Sequence, residues 1–174
     1  MGLRTARAVA AEALQRGWTS LTELEQEIRR GPRRWSANLR MAIDEMARGV
    51  RSSPEAEAMH LLESSAVLSG IAFNADLRSP AGTFVARPDA WLAAAAMAVE
   101  VDSAAHHFML EDWEHTQRRV ALLASYGALV LSVSPFRLRT EPSRLLAEIE
   151  RAYLARRAAG VACALRVCTA SLPR

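Results

Sequence analysis

The chain contains no lysine; all 22 of its basic residues are arginine. That excludes a lysine general base, a Schiff-base lysine and a P-loop lysine. Every phosphate contact falls to the planar, permanently charged guanidinium. The abundance of arginine and alanine also suits a GC-rich coding sequence. Cysteine is scarce: Cys163 and Cys168 are the only two, and they do not form a C-x-x-C pair. This speaks against a zinc ribbon, a redox motif or a disulfide framework. No stretch of about eighteen apolar residues is free of charge, which excludes a transmembrane helix. Glu12, just after the short apolar run near the N-terminus, argues against a secretory leader, so the expected location is the cytoplasm. There is no internal repeat and no low-complexity segment beyond the alanine bias.

What is present suits one globular domain with a short helical extension. The 174 residues are 51% apolar, enough to bury a core without a disulfide or metal. The net charge is +3 and the pI near 9.5, a balance that permits a nucleic-acid partner without requiring one.

The periodicity predicts helices over 5–16, 20–30 and 37–48. Ser20 with Glu23 forms a capping box, and Ser36 is placed to cap the third helix. Arg29, Arg30, Arg33, Arg34 and Arg40 make this part basic, as a solvated linker or as a phosphate-contacting arm. Ser52-Ser53-Pro54-Glu55 starts a helix expected to reach about Ser69. Apolar runs 71–77 and 83–91, split by the turn residues 78–82, predict two strands, and 97–102 predicts a third. Ala93–Ala96 lacks turn chemistry, but its flanks require a reversal. A helix over 110–126, a continuous buried strand over 128–133 and a last helix over about 141–158 complete the order, leaving a tail over 160–174. The expectation is α/β: a mixed β-sheet flanked by helices, in the order helix, strand, strand, strand, helix, strand.

One constellation carries chemistry. Asp89 lies at the end of the second strand, Glu100-Val101-Asp102 ends the next, and His106-His107 follows. Strand alternation places Glu100 and Asp102 on one face. Convergent carboxylates suit magnesium, which takes hard oxygen ligands, polarises a phosphodiester and acidifies bound water. A histidine in the following loop can move a proton. Asp89 also suits a strand end after Pro88, Asp102 a loop cap, and the histidines an ordinary surface or core role. Glu100 inside an apolar run is harder to assign to structure alone, because a buried carboxylate is costly unless paired. Arg87, Arg118 and Arg119 are candidate phosphate contacts.

Ser53-Pro54-Glu55, Asp89, Glu100-Val101-Asp102 and His107, in that order, resemble the PD-(D/E)XK nuclease superfamily. The closer likeness is to bacterial endonuclease-like domains of unknown function related to very short patch repair endonucleases. Phe84-Val-Ala-Arg, Ala98-Val-Glu-Val-Asp and Arg139-Thr-Glu-Pro add to it. The resemblance spans roughly residues 50–158. It implies a restriction-endonuclease-like fold with αβββαβ core order and a division into a helical, basic extension (1–50), an endonuclease-like domain (51–159) and a tail. It implies a magnesium- or manganese-dependent DNA endonuclease leaving 5′-phosphate and 3′-hydroxyl ends. Asp89 and Glu100 would hold the metal, with Asp102 beside them where the superfamily has lysine. Glu55 would be a helix acid near the site and His107 the family histidine, while His106 stands where an aromatic residue is common. Ser103 replaces the usual glycine, and the alanine run replaces a proline-containing hairpin. Many relatives carry an N-terminal winged-helix-like domain, which implies a separate or missing DNA-reading module. These departures keep open a non-catalytic, DNA-binding or regulatory protein on the same fold, and also a truncated gene product.

Overall fold

The structure is a computed structural model that describes residues 2–34, 36–102 and 110–168. Among them the chain forms seven α-helices and two small, mostly antiparallel sheets, a mixed α/β architecture. It divides into two compact units, Met1–Ala56 and Glu57–Arg174. The division falls inside a helix, six residues beyond the expected boundary at residue 50. Within the expected tail, Arg166–Cys168 form a strand.

The first unit holds α1 (Leu3–Gln15), α2 (Leu21–Arg30) and α3 (Ala37–Ala47); α1 buries mainly alanines, and α3 buries Ala42, Ile43 and Met46. Ala10, Ala11 and Met46 cluster with Leu14, Leu21 and Leu39. Within this packing Arg7 forks onto Glu45, Nε to Oε2 at 2.6 Å and Nη2 to Oε1 at 2.5 Å, both residues buried. Each charge answers the other with two parallel bonds, the arrangement in which a buried ion pair is tolerable. Ser20 and Glu23 close their capping box, which holds the Glu23 carboxyl below its usual range. Ser36 does not cap α3. Its hydroxyl donates backward, to the carbonyls of Pro32 (3.0 Å) and Arg33 (3.1 Å), where it competes with the capping role. Arg40 of the basic stretch folds back onto the Ile28 carbonyl.

Helix α4 (Ser53–Glu63) is shorter than the sequence suggests. After it, the Ser65 hydroxyl accepts the N–H groups of Val67 and Leu68, offering the backbone a turn in place of further helix.

In the second unit the expected strands 71–77 and 83–91 are each broken in two. β1 (Ile71–Phe73) and β4 (Ala90–Leu92) pair in one sheet, and β2 (Asp76–Arg78) and β3 (Phe84–Ala86) pair in another. The result is a bent hairpin. Asn74 takes a left-handed conformation (φ 48°) at one side of the bend. At the other, Pro88 cannot donate to a ladder. The Asn74 N–H still reaches the Asp89 carbonyl at 3.1 Å, so the two arms stay joined across the gap. β5 (Met97–Val101) pairs antiparallel with β4, and β6 (Leu129–Val133) pairs parallel with β5, giving the order β1-β4-β5-β6. β6 is therefore an edge strand and half-buried, not the continuously buried strand its apolar run suggested.

The alanine reversal between β4 and β5 is a 3-10 turn, Ala93–Ala95, followed by Ala96 at φ 48°. Its stability comes from a distant arginine. Arg156 donates to the carbonyls of Ala95 (2.6 Å) and Gly127 (2.6 Å), and more weakly to that of Ala96. Arg156 lies on α7 (Pro142–Ala158), which follows a short helix, α6 (Pro135–Thr140), that sequence periodicity did not suggest. The C-terminal stretch then crosses close over Gly127. A Cβ there would sit 2.7 Å from the Ala162 carbonyl oxygen, and Gly127 is at φ 86°. Beyond the crossing, β7 (Arg166–Cys168) pairs with β2.

Alternation sorts the strands into two faces. Leu92, Met97, Val99 and Val133 pack with Ala58 and Leu62 of α4 and with Leu145, Ile149 and Tyr153 of α7. Trp91, Ala98 and Val130 pack on the other face with Leu77, Ala86 and Leu165, and with Leu123 of α5 (Leu110–Ser125).

Candidate functional site

The site lies where β4 begins and β5 ends. The register Ala90↔Val99, extended by one residue, sets Asp89 opposite Glu100. Opposed residues of an antiparallel pair share a face, and this is the face of Trp91 and Ala98, covered by α5. Pro88, fully buried, fixes the chain just before Asp89.

Asp89 has a defined structural task. Its Oδ2 accepts the Val101 N–H at 2.7 Å, joining the start of β4 to the end of β5. Asp102 follows the end of β5, its N–H held by the Val133 carbonyl at 2.9 Å. Glu100 sits between them and is 6% exposed. Its Oε2 meets Arg119 Nη2 of α5 at 3.0 Å. Its Oε1 is buried and has no hydrogen-bond partner among the described residues. Burial pushes the Glu100 carboxyl up to about 7. Arg119 opposes that shift, and the nearby charges of Asp89 and Asp102 add to it. Glu100 therefore senses both acids, and its charge is under-compensated.

An ion would find one orphaned, buried carboxylate oxygen here, with two further acids near enough to shift its titration. Among the described residues, no three His, Cys, Asp or Glu side chains are gathered as a ready metal cluster. The donors fit a hard cation of the magnesium kind, which takes one or two carboxylates and completes its shell with water and substrate oxygens. They do not fit a closed, all-protein site.

His106, His107 and Ser103 lie outside the described residues. Glu55 lies in the first turn of α4, where its N–H donates to the Ser52 hydroxyl at 3.3 Å. Its carboxylate accepts the Arg51 N–H (2.8 Å) and the Ser52 hydroxyl (2.8 Å). Of the three arginines, Arg87 is held by Asp76 at 2.6 Å and Arg118 by Glu114 at 3.0 Å. Only Arg119 of these reaches the acids. Its position was legible in principle, since it precedes the buried Leu123 by one helical turn and shares its face. Ser132, opposite Glu100 on β6 in the parallel register, was not singled out from the sequence. A lone hydroxyl in the run Leu129-Val-Leu-Ser-Val133 was the available signal. Cys163 and Cys168 are free thiols.

Among the described residues no helix is long and apolar enough to cross a membrane. Compared with known proteins, the chain matches no family model, no curated protein and no solved structure.

Proposed function

We propose that this chain is a divalent-cation-dependent phosphodiester hydrolase acting on DNA, built on a restriction-endonuclease-like core. The observation that carries the reading is Glu100: a buried carboxylate with an unpartnered oxygen, between two further acids, at the end of a central strand. Burying such an oxygen costs about 1–3 kcal/mol or more without a partner, and a cation is the partner that an acidic surrounding favours. The order α4, β1, β4, β5, α5, β6, with β5 and β6 parallel, supports the core assignment, β2 and β3 being the far half of the bent hairpin.

A bound magnesium or manganese ion would supply Lewis-acid polarisation of the phosphoryl oxygen and a more acidic water. Glu100 and Asp89 are the residues that would hold it, with Asp102 beside them. The Asp89 carboxylate is already oriented by the Val101 N–H, so it is placed before any ligand arrives. In the reaction a water oxygen bonds to phosphorus, the bond from phosphorus to the 3′ oxygen breaks, and that oxygen takes a proton. The assignment of the proton donor to His107 rests on the resemblance alone.

A second reading, a non-catalytic DNA-binding or regulatory protein, is favoured by one contact: Arg119 already balances Glu100. Calorimetric titration with manganese separates the two. The hydrolase reading expects binding that Glu100→Gln abolishes. Salt-sensitive DNA binding without any manganese binding would support the second reading.

A further inference from the structure

We infer that Arg119 is an exchangeable counter-ion of this site, neutralising Glu100 while no divalent cation is bound and turning to a substrate phosphate once one is. The inference rests on the hydrolase reading of Glu100 and goes beyond it by assigning the cation that exchanges.

The geometry is that of a reaching side chain. Arg119 stands on α5 with its side chain 43% exposed, while the Glu100 side chain it meets is 8% exposed. The guanidinium meets Oε2 while Oε1 has no hydrogen-bond partner among the described residues, so the pair lacks the two-bond fork that Arg7 and Glu45 use to stay buried. A half-exposed guanidinium without that fork is the easier one to displace. A dication held at Glu100 and Asp89 outweighs it by charge at the same carboxylate. Once displaced, the guanidinium remains at the rim of the acidic corner, where a phosphate held by the ion would lie, and its planar donors suit phosphate oxygens. Arg87 pairs with Asp76 and Arg118 with Glu114, so of the three candidate arginines Arg119 is the one that meets Glu100, and the chain has no lysine to supply the role.

The test is manganese titration calorimetry on the full chain, comparing wild type with Arg119→Ala and Arg119→Gln, each checked for folding by its circular dichroism melt. Losing the competing charge should tighten manganese binding, on the order of tenfold. A merely structural arginine would leave affinity unchanged or weaken it. The second arm measures duplex DNA binding against salt, with calcium and with chelator. With calcium, Arg119→Gln should flatten the logarithmic salt slope by about 0.9, the loss of one phosphate contact. With chelator the slopes of wild type and variant should coincide. Manganese affinity that is equal or weaker in both variants overturns the exchange and leaves the metal reading standing. Wild type that binds no manganese removes both.

Discussion

The Asp89 carboxylate accepts the Val101 N–H at 2.7 Å, so the acid before β4 completes the hydrogen bonding at the end of β5. This gives one residue two separable tasks. Asp89→Asn keeps an acceptor oxygen, and its urea-unfolding stability should stay within about 1 kcal/mol of wild type. Asp89→Ala leaves the N–H without that partner and should lose about 1–3 kcal/mol. Manganese binding should fall in both. Equal stability of the two variants would show that the bond carries no weight.

Glu100 makes stability depend on pH in an unusual direction. Its carboxyl, ordinarily near 4.5, is pushed up to about 7 in the fold by burial. Between those values the folded chain keeps a proton that the unfolded chain releases. The contribution is thus fully present below about pH 4.5, declines as pH rises to about 7, and is gone above. The difference between the two values corresponds to about 3 kcal/mol at most. Glu100→Gln should remove that slope, so its advantage over wild type in urea unfolding should be larger at pH 8 than at pH 5. A constant difference between the two would contradict the burial argument.

Arg156 ties the alanine turn to the α5–β6 connection through carbonyls at Ala95, Ala96 and Gly127. Arg156→Ala should cost about 2–4 kcal/mol, the range for several charge-assisted bonds lost from a partly buried group. Lysine there should recover only part of that, because one ammonium cannot span the fork. Chemical denaturation checks both.

Gly127→Ala should destabilise by at least about 2 kcal/mol, measured the same way. The added Cβ meets the Ala162 carbonyl oxygen at 2.7 Å, and the backbone is at φ 86°. Gly17→Ala is the control, with φ 67° but open space around it, and should cost less.

Local chemistry made much of this fold legible. Ser20 with Glu23, and Ser52 with Glu55, mark helix starts because the same two side chains satisfy the exposed N–H groups in sequence and in space. The turn over 78–82 reads from Gly82 and its neighbours. What escaped depends on partners far along the chain. The alanine turn is held by Arg156, 61 residues beyond Ala95. β7 is too short and mixed to announce itself and is fixed by pairing with β2. The bend at Asn74 and Pro88 splits two apolar runs that periodicity reads as whole strands. At the site, alternation and hairpin register brought Asp89 and Glu100 together from the sequence. Glu55 was drawn in by the resemblance, whereas its carboxylate serves the start of its own helix. Arg119 could be named only as a surface candidate, because its meeting with Glu100 depends on how α5 lies across the sheet.

The central claim is cleavage at the Asp89 and Glu100 corner, and nicking of supercoiled plasmid DNA with magnesium tests it most directly. Wild type should convert plasmid to the open-circular form, chelator should stop it, and the double variant Asp89→Ala, Glu100→Ala from the same purification should leave the plasmid closed. A double variant that cuts as well as wild type would contradict the assignment.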